Sequence, residues 1–238
     1  MVDLHTHILP AVDDGAKDLN ESLALIDSLK SQGIDEICLT SHYYPYEMSP
    51  EDFIAKRSMA YNRLKSGLEN RQIKLVLGAE VQLNDILFNN GDLKDFCIEG
   101  TNYMLLELPY TDKFESGLVS KLDKFIDMYG IIPIIAHAER YLPVQKHPHL
   151  CAQFKECGCL IQLNCDSVIV RGKLNRTVKK LIKNGLCDLL GSDCHNTGAR
   201  PANFKAATDV LCNNYGYGII EFFESNAQRV LQNESLIY

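Results

Sequence analysis

Seven short apolar runs constrain this chain more than any other feature. They fall at residues 1–5, 37–40, 74–79, 103–108, 131–136, 160–163 and 187–191. Each is too short for a helix, and the segments between them carry a different rhythm. Leu19, Leu23, Ile26 and Leu29 recur every three or four residues, as do Leu118, Leu122, Phe125 and Ile126, and then Val178, Leu181 and Ile182. That spacing lines one face of a helix, whereas short runs of continuous apolar character suit strands covered on both sides. Alternation of strand and helix predicts an α/β fold with a parallel sheet. A helix is expected over residues 49–71, capped by Ser49 with Pro50 at its first position and Asp52 close behind. Two more helices, over 203–214 and 218–232, close the chain. No repeat, low-complexity tract or linker interrupts the 238 residues, so a single domain spanning 1–238 is expected.

The ends of these runs hold a particular set of side chains. His5 and His7, His42, Glu80, Glu107, His137, and Asp193 with His195 stand at or just beyond them. A parallel β/α barrel gathers the carboxyl ends of its strands on one face, where the catalytic residues of such folds sit. In His5-Thr6-His7, alternate residues of an extended chain point the same way, so both imidazoles can reach one ion. Asp13-Asp14-Gly15 follows in the first loop and places a carboxylate nearby. Taken singly, His42 or Glu80 is more often an ordinary solvated or hydrogen-bonded residue. Five of the seven histidines at predicted strand ends make a different case, because solvated histidines would scatter. The two exceptions, His147 and His149, flank Pro148 in a polar loop and are read as loop residues. Glu107 sits within Met104-Leu105-Leu106-Glu107-Leu108, where a charge is costly unless paired or coordinated. Asp193, after Leu189-Leu190-Gly191-Ser192, poses the same problem.

Composition excludes some functions. A formal net charge of −7 argues against nucleic acid as a main partner. No apolar stretch approaches the roughly 20 residues needed to cross a bilayer, so direct membrane insertion is not expected. Nine cysteines, without a CxxC pair, and a start that opens on a strand rather than a basic-then-apolar signal segment suggest a reduced, cytoplasmic protein.

In order, the chain reads H-T-H, D-D-G-A, T-S-H, G-A-E, L-E-L-P, A-H-A-E-R, S-D-C-H-N and R-P. Each piece is weak alone, but all eight with these separations resemble the PHP-type (polymerase and histidinol phosphatase) bacterial protein-tyrosine phosphatases of capsule and exopolysaccharide clusters. The resemblance runs from Val2 to about Gln232. It implies a distorted (β/α)7 TIM-like barrel holding three divalent transition-metal ions. By the same resemblance one ion would take His5, His7, Glu80 and Asp193, a second Glu80, Glu107 and His137, and a third Asp14, His42 and His195. The mixed imidazole and carboxylate set suits manganese, iron or zinc rather than calcium, and the resemblance favours manganese. Arg140 and Arg200 would grip phosphate, since a guanidinium fork matches its oxygens. The implied chemistry is attack on phosphorus by water that the ions have acidified, with His42, His195 or a bound water as a proton source. The implied partner is the phosphotyrosine-bearing tail of a membrane-associated bacterial tyrosine kinase, and relatives can form homo-oligomers through helical surfaces.

Two rival readings stay open at this level. Cys194 to Arg200 fits the C-x5-R pattern of cysteine-dependent phosphatases, but so does Cys165 to Arg171, and neither would employ His5, His7, Glu80 or His137. The second keeps metals and fold and changes the substrate to histidinol phosphate or another small phosphate ester. Tyr43, Tyr44, Tyr46 and Tyr110 are candidates to stack on a substrate ring or to pack as ordinary loop residues.

Overall fold

A computed structural model describes residues 1–69 and 71–236. Its strands are β1 (Val2–Thr6), β2 (Glu36–Leu39), β3 (His42–Tyr43), β4 (Lys74–Leu77), β5 (Glu80–Gln82), β6 (Tyr103–Glu107), β7 (Ile132–Ile135), β8 (Leu160–Asn164) and β9 (Leu189–Gly191). The helices are α1 (Leu19–Ser31), α2 (Pro50–Gly67), α3 (Leu118–Tyr129), α4 (Leu142–Lys146), α5 (Leu150–Glu156), α6 (Cys165–Ile169), α7 (Lys173–Lys183), α8 (Phe204–Tyr215) and α9 (Gly218–Leu231).

All the strand pairings are parallel. One sheet runs β1-β2-β4, and the other β3-β5-β6-β7-β8-β9. The two join where the second and third apolar runs break. β2 stops at Leu39 and β4 at Leu77, and each chain resumes a few residues on as β3 or β5, with His42 now opposite Glu80. Among the described residues, nine segments therefore replace the seven uninterrupted strands expected, and the breaks re-aim His42 and Glu80. A parallel bridge between Thr6 and Cys194 brings the chain beyond β9 alongside the end of β1. The result is a curled parallel sheet in a mixed α/β fold.

Burial follows the pleat. Leu106, Ile135 and Leu190 enter the main core beneath the helices. Their neighbours Leu105, Ile134 and Leu189 turn to a second cluster with Val2, Leu4 and the α9 residues Ala227 and Val230. Adjacent residues of a strand point to opposite faces, so continuous apolar strands require a packed layer on each side. α2 begins as its sequence dictates, with the Ser49 hydroxyl accepting from the Asp52 N–H and Pro50 in the first turn. It ends at Gly67, short of the expected residue 71; Asn70, inside that expected span, lies outside the described residues, as do 237–238 of the expected domain.

Leu64 of α2 is fully buried and distant in sequence from every ligand-type residue. Leu64→Ala should cost about 2–5 kcal/mol of stability in a urea titration; a change too small to measure would show that this helix is not part of the cooperative core.

Candidate metal centre

β1, β3, β5, β6 and the turns after β7 and β9 deliver their polar side chains to one place. His5 Nε2 lies 3.1 Å from His7 Nε2, 3.2 Å from Glu80 Oε2 and 3.4 Å from Asp193 Oδ1. His7 Nε2 reaches the same two oxygens at 3.2 and 3.3 Å. His137 Nε2 is 2.8 Å from Glu80 Oε1 and 3.8 Å from Glu107 Oε1, and His42 Nδ1 is 3.1 Å from Glu80 Oε2. At the rim, Asp14 Oδ1 faces His195 Nε2 at 3.4 Å and His42 Nε2 at 3.6 Å. All nine residues expected to ligate thus meet at one end of the sheet. They form overlapping groups with ligand atoms within 4.8 Å of one another: His5, His7, Glu80 and Asp193; His7, Asp14, His42 and His195; and His42, Glu80 and Glu107. The structure adds His7 to the outer set and His42 to the Glu80–Glu107 pair, while His137 stands beside the same two carboxylates.

The histidine tautomers follow from their partners. His5 donates from Nδ1 to Gln162 Oε1 at 3.1 Å, and that oxygen also accepts the His137 backbone N–H at 2.8 Å, which fixes it as the amide oxygen. His7 donates from Nδ1 to Asp13 Oδ2 at 2.7 Å, and His195 from Nδ1 to the Asp193 carbonyl at 2.9 Å. With Nδ1 committed, each neutral ring turns a bare Nε2 lone pair toward the cluster, the arrangement that outer partners impose on metal-ligating histidines. His137 Nδ1 lies 3.3 Å from the Tyr110 hydroxyl, a group able both to donate and to accept.

Two bare imidazole nitrogens at 3.1 Å repel unless a proton or a cation shares the space between them. Asp193 Oδ1, His42 Nδ1 and His195 Nε2 are buried with no hydrogen-bond partner among the described residues. Such atoms are costly in a protein interior, and here they converge with further oxygen and nitrogen donors. Imidazole and carboxylate donors in this mixture suit a divalent transition metal. The residues present therefore fit the ions expected.

Electrostatics reports the same need for positive charge. Burial raises the Glu107 carboxyl to about 8, and neighbouring Glu80 adds to the rise. Burial works the same way on Glu80, but His5 and His42 outweigh it and hold that carboxyl far below its ordinary value. Burial pushes the His42 imidazole down to about 4, with His7 assisting, which keeps one ring nitrogen unprotonated. Burial opposes protonation of His5 too, yet Glu80 and Asp193 together raise it.

Backbone geometry helps to aim these groups. His137 and Asp193 adopt φ values of 34° and 54°, in the left-handed region that non-glycine residues seldom occupy. Each turns its chain sharply out of the sheet. Two glycines are required by close approach: a Cβ on Gly15 would lie 2.1 Å from the His7 carbonyl oxygen, and one on Gly191 2.8 Å from both His5 Cβ and Gln162 Nε2.

Arg140 and Arg200 converge from the rim. Arg140 Nη1 donates to Asp193 Oδ2 at 2.6 Å and Arg200 Nη2 to the same oxygen at 2.8 Å, joined by Asn164 Nδ2 at 2.8 Å. Tyr44 stacks on His42 with ring centroids 5.1 Å apart, and Tyr46 stacks on Tyr44. Tyr43 instead packs on Phe53 and Phe96 in the core. A cavity of about 510 Å³ opens beside Asp14, His42 and Tyr44, with Val12, Met48 and Lys56 among its walls.

The cysteine alternative finds little support. Asp193 and His195 face the cluster, whereas Cys194 between them is fully buried among apolar side chains. Burial, aided by Asp3, pushes its thiol up to about 12, and Arg200 is turned to Asp193. Cys165 is buried as well. His147 and His149 stand outside these groups, their rings 5.7 Å apart.

Two supporting residues, Gln162 and Asn164, carry no motif in the sequence, and Asp13 of the expected nearby carboxylates proves to hold His7 rather than to face the cluster. Gln162 and Asn164 alternate along β8, polar residues inside an otherwise apolar strand, which is the signal that singled out Glu107.

Residues 1–232 match the family model described as capsular polysaccharide synthesis, CpsB/CapC. The chain is 28% identical over 246 residues to the tyrosine-protein phosphatase CpsB of Streptococcus agalactiae, covering 98% of this chain and 99% of the relative. It is 29% identical to the putative tyrosine-protein phosphatase CapC of Staphylococcus aureus, covering 99% and 93%. Among solved structures, one from a study of YwqE from Bacillus subtilis and CpsB from Streptococcus pneumoniae, described as unique metal-dependent tyrosine phosphatases, superposes with a TM-score of 0.87 at 27% identity. That match spans 100% of this chain and 96% of the other.

Two outcomes test this geometry. Gln162→Leu removes the oxygen that orients His5 and His137 and should weaken manganese affinity by roughly 10–100-fold in calorimetry; unchanged affinity would show the amide to be dispensable. In chelator-stripped protein, the neutral form of Glu107 is favoured by folding, because its carboxyl rises from 4.5 to about 8. Its stabilising contribution is complete below pH 4.5 and fades as pH climbs toward 8. Wild-type protein should therefore lose stability relative to Glu107→Gln across that interval, and parallel pH profiles would contradict the assignment.

Proposed function

The chain belongs to the CpsB/CapC capsular polysaccharide synthesis family, and from that footing we propose that it is a metal-dependent phosphatase acting on protein phosphotyrosine. The observation that carries this reading is the set of histidines whose Nδ1 atoms are held by outer partners while Nε2 faces a carboxylate, the buried Glu80 and Asp193 for His5 and His7 and the rim Asp14 for His195, with two arginines beside them. In this reading His5, His7, Glu80 and Asp193 hold one divalent ion, Glu80, Glu107 and His137 a second, and Asp14, His42 and His195 a third, with Glu80 shared. Manganese is the favoured metal, with iron or zinc as alternatives. The curled sheet is read as a distorted (β/α)7 barrel, with the bridge from Thr6 to Cys194 as its seam.

Bound ions supply acidified water and positive charge against the phosphoryl oxygens. The protein's own residues do the remainder. Arg140 and Arg200, which share Asp193 Oδ2, turn to the equatorial oxygens of an arriving phosphate and neutralise charge as it redistributes. His42, with its imidazole pushed down to about 4, remains neutral at pH 7. Neutrality leaves one of its ring nitrogens free to donate an electron pair. Tyrosine's phenol has a pKa of about 10, so its oxygen departs more readily than an alkoxide and demands less of a general acid. The cavity beside Tyr44 and the exposed ring of Tyr110 give the substrate's aromatic side chain surfaces to lie on.

The partner we propose is the phosphorylated tail of a membrane-associated tyrosine kinase, met in the cytoplasm. Nine free cysteines accord with a reducing compartment. Among the described residues no helix is long and apolar enough to cross a membrane.

Metal-reconstituted protein should hydrolyse a phosphotyrosine peptide in preference to histidinol phosphate and lose activity to a chelator but not to a thiol-alkylating reagent. Arg140→Ala should lower kcat/KM by roughly 10²–10³-fold, as loss of one transition-state donor does elsewhere. A preference for histidinol phosphate would overturn the substrate, and full activity in chelator would overturn the metals.

A further inference from the structure

Cys157 and Cys159 bracket the turn that carries the chain from α5 into β8, on the far side of Gln162 from the metal centre. Cys157 caps α5, its N–H bonded to the Gln153 carbonyl. Gly158 follows at φ 99°, a left-handed value that lets the chain double back, and the Cys159 N–H then bonds to the Phe154 carbonyl. This fold of the backbone sets the two Sγ atoms 3.7 Å apart. Cys159 is buried, whereas Cys157 is partly exposed and opens onto a shallow surface depression beside Asp123 and Glu156.

We propose that Cys157 and Cys159 form a redox-active dithiol that a hydroperoxide converts reversibly to a disulfide. The Cys157 sulfur attacks the peroxide oxygen, breaking the O–O bond and leaving a sulfenic acid plus water or an alcohol. The Cys159 sulfur then displaces that hydroxyl as water and closes the S–S bond. Two thiols lose two electrons and two protons to the peroxide, and a small dithiol reductant returns them by exchange.

The pair meets the conditions for selective oxidation: an accessible attacking sulfur and a resolving sulfur already in contact. Cys157 and Cys212 are the partly exposed cysteines, and the other seven are buried. The hydrogen bond with Cys159 holds the Cys157 thiol below its ordinary value against the opposing effect of burial. Burial instead raises Cys97, Cys151 and Cys194 to about 12, and the Cys157 contact together with burial raises Cys159, so Cys159 resolves by its 3.7 Å proximity rather than by acidity. This site is independent of the metal ligands.

The test is hydrogen peroxide titration of the full-length, metal-loaded protein, followed by alkylation, digestion and mass spectrometry. The expected product is a peptide spanning residues 157–159 lighter by two hydrogen atoms and restored by dithiothreitol. Cys157 should be consumed roughly tenfold faster than Cys212. In Cys159→Ser, a dimedone-reactive sulfenic acid should accumulate at Cys157, and in Cys157→Ser the buried Cys159 should stay reduced. Both variants should retain the wild-type circular dichroism spectrum. Oxidation of Cys157 no faster than Cys212, or its passage to sulfonic acid with Cys159 still reduced, overturns the proposal.

Discussion

Buried charge is the constraint on which the rest of this structure depends. His5, His7, Glu80 and Asp193 lie almost wholly out of solvent, with ligand atoms within 4.8 Å of one another. An interior of low polarisability does not tolerate such a set without compensation. Hydrogen bonding satisfies much of it, yet among the described residues Asp193 Oδ1 finds no hydrogen-bond partner, and two imidazole nitrogens face each other 3.1 Å apart. The fold therefore gathers its own charges in an arrangement that fits a cation. Metal binding and stability are two aspects of one requirement in such a molecule.

A second layer makes the first one specific. Gln162 ties the His5 ring to the His137 backbone, so residues from β1 and the turn after β7 share one oxygen. Asp13 does the same between His7 and the His42 backbone. Asn164 and both arginines converge on Asp193. These contacts cross between strands far apart in sequence, and each fixes a ring or a carboxylate at the angle its role demands. Gly191 belongs to this layer, because the space a side chain would take there is filled by His5 and Gln162.

Asp193 links the buried cluster to its rim. One of its oxygens faces His5 and His7, and the other receives two guanidinium groups and an amide. Its left-handed backbone and the bridge of the next residue to Thr6 hold it at the meeting of first and last strands. Charge arriving on either side is felt by the same carboxylate. Cys194, adjacent in sequence, is excluded because the pleat sends its thiol into the core.

The alternation of apolar runs with helical periodicity determined the parallel α/β class, because burial on both faces leaves a strand no polar residues except where something pairs with them. The same logic exposed Glu107 and Asp193, and the H-x-H spacing exposed His5 and His7. What the sequence did not contain was the break between β2 and β3 and between β4 and β5, since it depends on how neighbouring strands part. Nor did it reveal that Gln162, Asn164 and Asp13 support the ligands, or that Tyr43 turns inward while Tyr44 stacks on His42. Residue type and spacing record which groups need a partner; only the folded chain decides which partner arrives, because hydrogen bonds and charge pairing act over a few ångströms and the residues they join are separated by most of the chain.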